Sequence, residues 1–425
     1  MAKPKLALIP SAQGSKFYSV LPSSGVGDFD FTRSGSATRI NSQGLIETVG
    51  GGVSRLNYPM IDGVVKGCPS HLLEPERLQK IQYSEDFSQL YWSKLGASVV
   101  SNSTISPDGT LNASKLIEGT NNGTHILYRN NIVTGAGINT LSVKVKANGR
   151  NWVLLYDAEQ SEAVYFDLEN GVSGSTIGSP DDYSITALPN GWYDISLTTT
   201  ATSKVDFQIY TAENDEVFIY QGDGVSGIYV WGAQLEQGSY PTSYIPNYGT
   251  SAGITRSAET ANGSGDASTF NDSEGVLMAE ISGLTEVGTN QSIAISNGTQ
   301  SNRILFRYNS TNQVRVIVVS SNAFVFDKTL NISSIEEYNK FSIKYKQDDF
   351  ALWVNGFELK SDNSGVTPTG LNELALDDGS GVNDFYGNTK QVQYFDSALN
   401  DNELEQLTSW VSFSDMAEGQ LYTIE

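Results

Sequence analysis

Residues Val230–Pro246 read V-W-G-A-Q-L-E-Q-G-S-Y-P-T-S-Y-I-P, and the chain divides around them. Ile228 and Val230 start an apolar–polar alternation that resumes, after one slip, at Gln234 and Leu235, as in a half-buried strand. Pro241 and Pro246 then end any ladder, because proline has no N–H to donate. Upstream, Ile81–Trp92 (I-Q-Y-S-E-D-F-S-Q-L-Y-W) opens the same unit, and about seven short strand-like runs lie between the two stretches. Residues 249–269 are small, polar and Gly/Ser-rich, which is linker composition. A middle domain over 81–248 and a separate one over 270–412 follow, with 413–425 as a tail.

Composition points the same way. With 425 residues the chain exceeds one ordinary core, and 41 Gly, 21 Tyr and 17 Phe against 4 Met indicate β-structure joined by turns. The expected fold class is all-β, an extended N-terminal arm followed by two β-sandwich (jelly-roll) domains. The net charge is −22, and residues 1–80, with nine Lys/Arg and six Asp/Glu, hold about +3, so the rest carries −25. An acidic body of this size repels phosphate arrays, which argues against nucleic acid and against insertion into an anionic membrane. No run approaches the length of a membrane-spanning helix or a signal-peptide core, so synthesis in a cytoplasm is expected. Cys68 is single, which rules out an intrachain disulfide.

Residues 1–80 are poor in apolar side chains and rich in Gly/Ser, so this arm is expected to lie on a partner or on copies of itself. In the middle domain Leu141, Val143 and Val145 alternate cleanly, and Trp152–Tyr156, Val164–Leu168 and Val205–Tyr210 are further strands. In the C-terminal domain Asn355-Gly356 marks a hairpin turn. Asn400, with Glu403 three residues on, marks the capped start of a short helix with Leu404 and Leu407 on one face. A last strand is expected at Gln420–Ile424.

The pairing of Y-S-E-D-F-S (from Tyr83) and Trp92 with the Trp231–Pro246 exit resembles the jelly-roll, carbohydrate-binding-module-like domains of bacteriophage fibre and spike proteins. Asp30–Glu47 (D-F-T-R-S-G-S-A-T-R-I-N-S-Q-G-L-I-E), Ser54–Pro59 and Leu72–Arg77 resemble the leader of phage head-spike and tail-fibre proteins, so the likeness covers roughly residues 28–260. One departure is Glu74–Lys80, where such proteins continue with an Asn/Leu-rich run. Lys344–Leu359 and Lys390–Leu407 resemble laminin-G-like, concanavalin-A-like sandwiches. The resemblance implies a virion protein assembled in the bacterial host cytoplasm, homo-oligomeric (trimer first, dimer second), with capsid or tail proteins and a host surface glycan as partners.

Candidate chemistry is sparse. Only His71 and His125 could serve a hydrolytic triad, and no E-x-D-x-x-E glycosidase pattern is present, so no enzyme is expected. Polysaccharide depolymerisation by a carboxylate pair and a ligand-free decoration role are the alternatives. No cofactor is required, but oxygen-rich loops leave calcium open, with Asp215, Asp223, Asp377 and Asp384 as ligands. Sugar rings stack on exposed aromatics, and Tyr210, Tyr220, Tyr240, Tyr244 and Tyr248 lie near loops, whereas Trp152, Trp192, Tyr193, Trp231 and Trp353 fall in strands and read as core. Arg33, Arg39 and Arg55 of the leader are expected to attach the arm to the virion by pairing with acidic neighbours.

Overall fold

The computed structural model describes residues 2–284, 289–310, 312–411 and 415. The strand expected at Gln420–Ile424 lies outside them. The regular structure is almost wholly strand, with one α-helix among the described residues, Asp401–Thr408.

The middle sandwich is two six-stranded antiparallel sheets. One runs Ala97–Thr104, Ala113–Glu118, Gly227–Gln237, Gly137–Asn148, Trp192–Ala201, Asp182–Leu188. The other runs Ser93–Leu95, Ile126–Val133, Lys204–Ala212, Trp152–Asp157, Glu162–Asp167, Val172–Ile177. Leu141, Val143 and Val145 face Val153, Leu155, Phe207 and Ile209 in the core between them. The slip in the 230–235 alternation is a β-bulge. Ser142 sits opposite Gln234 but Lys144 sits opposite Trp231, and Gly232, at φ 64°, supplies the left-handed residue that such a bulge needs. Val230 and Ala233 therefore both point into the core, while Trp231 points out the other side.

In the C-terminal sandwich a five-stranded sheet faces one of eleven strands. Five of the eleven come from residues 274–395, and five more from the leader: Leu6–Gln13, Lys16–Leu21, Phe29–Thr32, Leu56–Asn57 and Ser70–Leu73. Leu6, Ala7 and Leu8 pair with Tyr394, Gln393 and Val392, and His71 pairs with Thr389. Leu6, Leu8, Phe17, Phe29, Phe31 and Leu73 lie in one core with Leu277, Ile343 and Tyr394. The leader is thus no free arm. Its few apolar residues alternate correctly for a sheet face, and the surface they need is supplied by this chain's own C-terminal domain. The local readings of that domain hold. Val354 pairs with Phe357 across Asn355-Gly356, both at positive φ, and the Asn400 side chain and Glu403 form a reciprocal capping box.

The eleventh strand, Thr260–Asn262, belongs to the stretch expected to be a linker, and so does Ile254–Arg256, which pairs with Arg77–Gln79. Between them Glu259 is fully buried. Its carboxylate accepts from Arg33 Nη1 at 2.6 Å and Arg55 Nε at 2.9 Å, and Arg55 Nη2 closes a bidentate pair. The Glu74 amide adds a fourth bond, to Oε2, at 2.8 Å. Arg55 Nη2 and Arg256 Nη1 each stand 2.8 Å from Glu74 Oε2, and Ser243 donates to Glu74 through its amide (2.7 Å) and hydroxyl (2.6 Å). Leader, middle-domain exit and interdomain segment meet in this one ion cluster. Burial alone would raise the Glu74 pKa, but Arg256 and Arg55 outweigh it and hold the carboxyl down at about 2.

Removing one charge from a buried cluster strands the others. Glu259→Gln is expected to cost ~3–5 kcal/mol in chemical denaturation, against less than about 1 kcal/mol for Glu47→Gln, whose partner Arg39 is at the surface. Because the folded pKa of Glu74 is depressed, its contribution is complete above about 4.5 and lost as pH falls toward about 2. An acid titration of stability should show a loss across that window that Glu74→Gln lacks.

Candidate functional site

Four outer sheet faces exist in the two sandwiches, and those of the middle domain differ sharply. The sheet holding Gly227–Gln237 turns Trp192 and Trp231 outward, but Tyr244 of the exit segment and Ile40 and Ile46 of the leader pack over them. The other sheet turns out a second set of rings that no leader segment covers: Tyr165 and Tyr210 buried at the base, with Tyr128, Trp152 and Tyr156 half-buried around them and Phe218 added from the loop after Ala212.

Register places these rings in rows. Tyr128, Gln208, Tyr156 and Ala163 stand side by side across four strands. Ile126, Tyr210, Leu154 and Tyr165 form the next row, and Ala212, Trp152 and Asp167 a third. Trp152 and Tyr156 share a face of one strand, four residues apart, so their rings are on the order of 13 Å apart along it. Tyr156 and Tyr210 have centroids 6.1 Å apart. Polar groups are fixed between the rings. The Tyr210 hydroxyl donates to Gln208 Oε1 (2.7 Å), and Gln208 Nε2 donates to Asn130 Oδ1 (2.9 Å). Burial, with Tyr156 and Tyr165 adding to it, pushes the Tyr210 hydroxyl up to about 12, so it keeps its proton and remains a donor.

The loop between Ala212 and Tyr220 folds back over this face. Phe218 meets Tyr210 edge-on at 5.5 Å, and Asp215 anchors the loop by accepting from the Ser175 amide (3.0 Å) and hydroxyl (3.0 Å). Gly174 is required there, since a Cβ would come within 2.6 Å of both Trp152 and Asp215. The result is an aromatic floor with an amide row and one loop wall, the arrangement that stacks on sugar rings and orients their hydroxyls.

The residues singled out from sequence scatter. Tyr210 is on the face. Tyr220 is buried and donates to Glu118 at 2.7 Å. Tyr244 is buried against Ser84, and Tyr248 stands on the rim of a different cleft. Tyr240 lines a groove between the sandwiches with Asn383 and Asp384. Trp152, expected in the core, is on the open face. Its neighbours Tyr128, Tyr156 and Tyr165 went unnoticed, although aromatics at both parities of a strand are the signal that both its faces are covered or used.

The acidic candidates do not form a cation site. Asp215 is committed to Ser175, and Asp223 to the Ser226 hydroxyl and the Ser226 and Val225 amides. Asp377 and Asp384 lie in the other sandwich, and among the described residues no three His, Cys, Asp or Glu side chains converge to hold a metal. Arg33 and Arg55 are consumed by Glu259 and cannot attach anything, because solvent does not reach them. Arg39 pairs with Glu47 at 2.9 Å.

No protein-family model and no curated protein matches the sequence. Among solved structures the chain is similar to the Ruminococcus gnavus IT-sialidase CBM40, at 16% identity and TM-score 0.30, over 34% of this chain and 92% of that one. It is similar to the K499G mutant of NanB sialidase from Streptococcus pneumoniae at 13% and TM-score 0.29, over 34% of this chain and 25% of that one. A heptameric SAP-like pentraxin from Limulus polyphemus gives 9% and 0.25, over 33% and 71%.

Asp384 provides a check on the groove between the sandwiches. Burial first, then Asp377, pushes its carboxyl up to about 6. A raised carboxyl stabilises fully below its unfolded value and loses that contribution as pH rises through the folded one. Asp384→Asn should therefore raise the melting temperature at pH 7, with the gain vanishing toward pH 4.

Proposed function

We propose that this chain is a glycan-binding subunit without catalytic activity, and that the open face around Trp152, Tyr156 and Tyr210 is where the saccharide docks. The observation that carries this is the asymmetry of the middle sandwich. One outward aromatic set is buried under the leader, and the other has no leader segment over it, so Tyr128, Trp152 and Tyr156 stay half-buried around the buried Tyr210, with fixed amides beside them. Apolar rings are costly to leave exposed unless something binds them.

The leader over residues 28–80 supports a place for the protein in a bacteriophage particle, as a fibre or spike subunit that uses its sandwiches for host attachment. Attachment to a capsid or tail protein would then use the surface of the folded leader, not buried arginines. Trimer formation rests on the resemblance alone, since the leader finds its core within its own chain. Repetition of a weak site would supply avidity.

The test is binding to purified host capsule and wall polysaccharides, read by calorimetry. Trp152→Ala and Tyr156→Ala should each weaken binding by about 1 kcal/mol, roughly five-fold, at a temperature where both variants remain fully folded. No new reducing ends should form on prolonged incubation. Unchanged affinity in both variants would sink the sheet-face site, and accumulating ends would favour a depolymerase.

A further inference from the structure

A cleft with a volume of about 480 Å³ opens where the middle domain begins and closes. Its walls come from three separate stretches: Tyr83–Gln89 where the domain opens, Ser101 to Asn112, and Asn247–Tyr248 where it closes. The backbones of Tyr83 and Tyr248 are bridged, and Ser84 and Asn247 exchange hydrogen bonds, so opening and closing segments are clamped together. The cleft is therefore built by the same device that closes the domain.

Glu85 lines it, and every hydrogen bond it receives among the described residues comes from a neutral group. Oε1 accepts the Tyr244 hydroxyl at 3.0 Å and the Tyr248 hydroxyl at 3.2 Å, and Oε2 accepts Asn112 Nδ2 at 3.2 Å. No cation pairs with it among the described residues, although it is half-buried. Its nearest charged neighbours are themselves acidic. Asp108, reached through Asn112 Nδ2 at 3.2 Å, adds to the burial that pushes the Glu85 carboxyl up. Asp86 on the same wall is satisfied by Ser88 and Gln89. Lys94, which follows this wall, gives its ammonium to the Trp92 and Gln89 carbonyls at 3.1 and 3.5 Å, and its charge is felt by Asp86. A partly buried carboxyl with no cation beside it would be stabilised by a counter-charge, and among the described residues nothing in this wall supplies one.

The rest of the cleft fits a saccharide. The Tyr248 ring is 73% exposed at the rim, where it offers both a stacking surface and a π face for a cation. The side chains of Tyr83, Ser101 and Asn102 make no hydrogen bond among the described residues, so their hydroxyls and amide are free to meet sugar hydroxyls.

We propose that this cleft binds a sugar bearing a free amine, with the ammonium on Glu85, the ring against Tyr248, and hydroxyls on Tyr83, Ser101 and Asn102. The site is separate from the sheet face and does not depend on it. A protein of charge −22 would draw a cationic saccharide toward it at long range as well.

Glucosamine, N-acetylglucosamine and glucose, titrated into the full chain at a pH where the amine is protonated, are the probes, followed by NMR. Glucosamine should bind at least ten-fold more tightly than the two neutral sugars, and added salt should weaken it. Glu85→Gln should erase that preference. Tyr248→Ala, at an exposed position that cannot disturb the fold, should weaken glucosamine several-fold, while Trp152→Ala should leave it unchanged. Equal binding of all three sugars, or a preference that survives Glu85→Gln, would overturn the proposal. Loss of glucosamine binding in Trp152→Ala would do so too, by placing the sugar on the sheet face.

Discussion

A carboxylate cannot be left alone in a protein interior, and Glu259 is wholly buried. Its charge is tolerable only because Arg33 and Arg55 converge on it, and their own surplus is balanced by Glu74, which Arg256 shares. Three of these five residues come from the leader and two from the segment after the middle-domain exit. Displacing any one of these stretches would expose the others' charges to an apolar surround. The placement of the leader strands on the C-terminal sheet, and of both sandwiches relative to the leader, is therefore coupled through electrostatics as well as through apolar packing.

That coupling has a consequence for the surface. With the leader pinned at Arg33 and Arg55, residues 40–46 are laid over one outer face of the middle sandwich, and they bury Trp192 and Trp231. The bulge at Gly232 matters here, because it turns Trp231 toward the leader while keeping Val230 and Ala233 in the core. The opposite outer face receives no such cover and keeps only the short loop held by Asp215. Rings on the two faces are chemically alike. Whether a ring is structural or available for a ligand depends on which face the leader reaches.

The cleft at Glu85 follows from closure of the same domain. Asn247 and Ser84 lock its two ends together, and Tyr244 and Tyr248, four residues apart in the exit segment, deliver their hydroxyls to one carboxylate. The exit stretch thus fills three roles: a central strand, a contributor to the ion cluster through Ser243, and one wall of a cleft.

Much of the local structure was legible in the chain. Period-two alternation at Leu141–Val145, the Asn355-Gly356 turn and the Asn400/Glu403 cap depend on residues within a few positions of one another, and each formed as its pattern demands. Even the slip near Gly232 was visible as a break in alternation. Long-range partners were not. A Gly/Ser-rich stretch reads as a linker whether it floats in solvent or carries a buried Glu259, and an arginine reads as a surface charge until its carboxylate is found some 200 residues away. Trp152 and Trp231 occupy similar strands, and nothing near either says which will be covered. Strand, turn and cap are decided by neighbours along the backbone. Burial of a charge and exposure of a ring are decided by what the rest of the chain brings across from elsewhere.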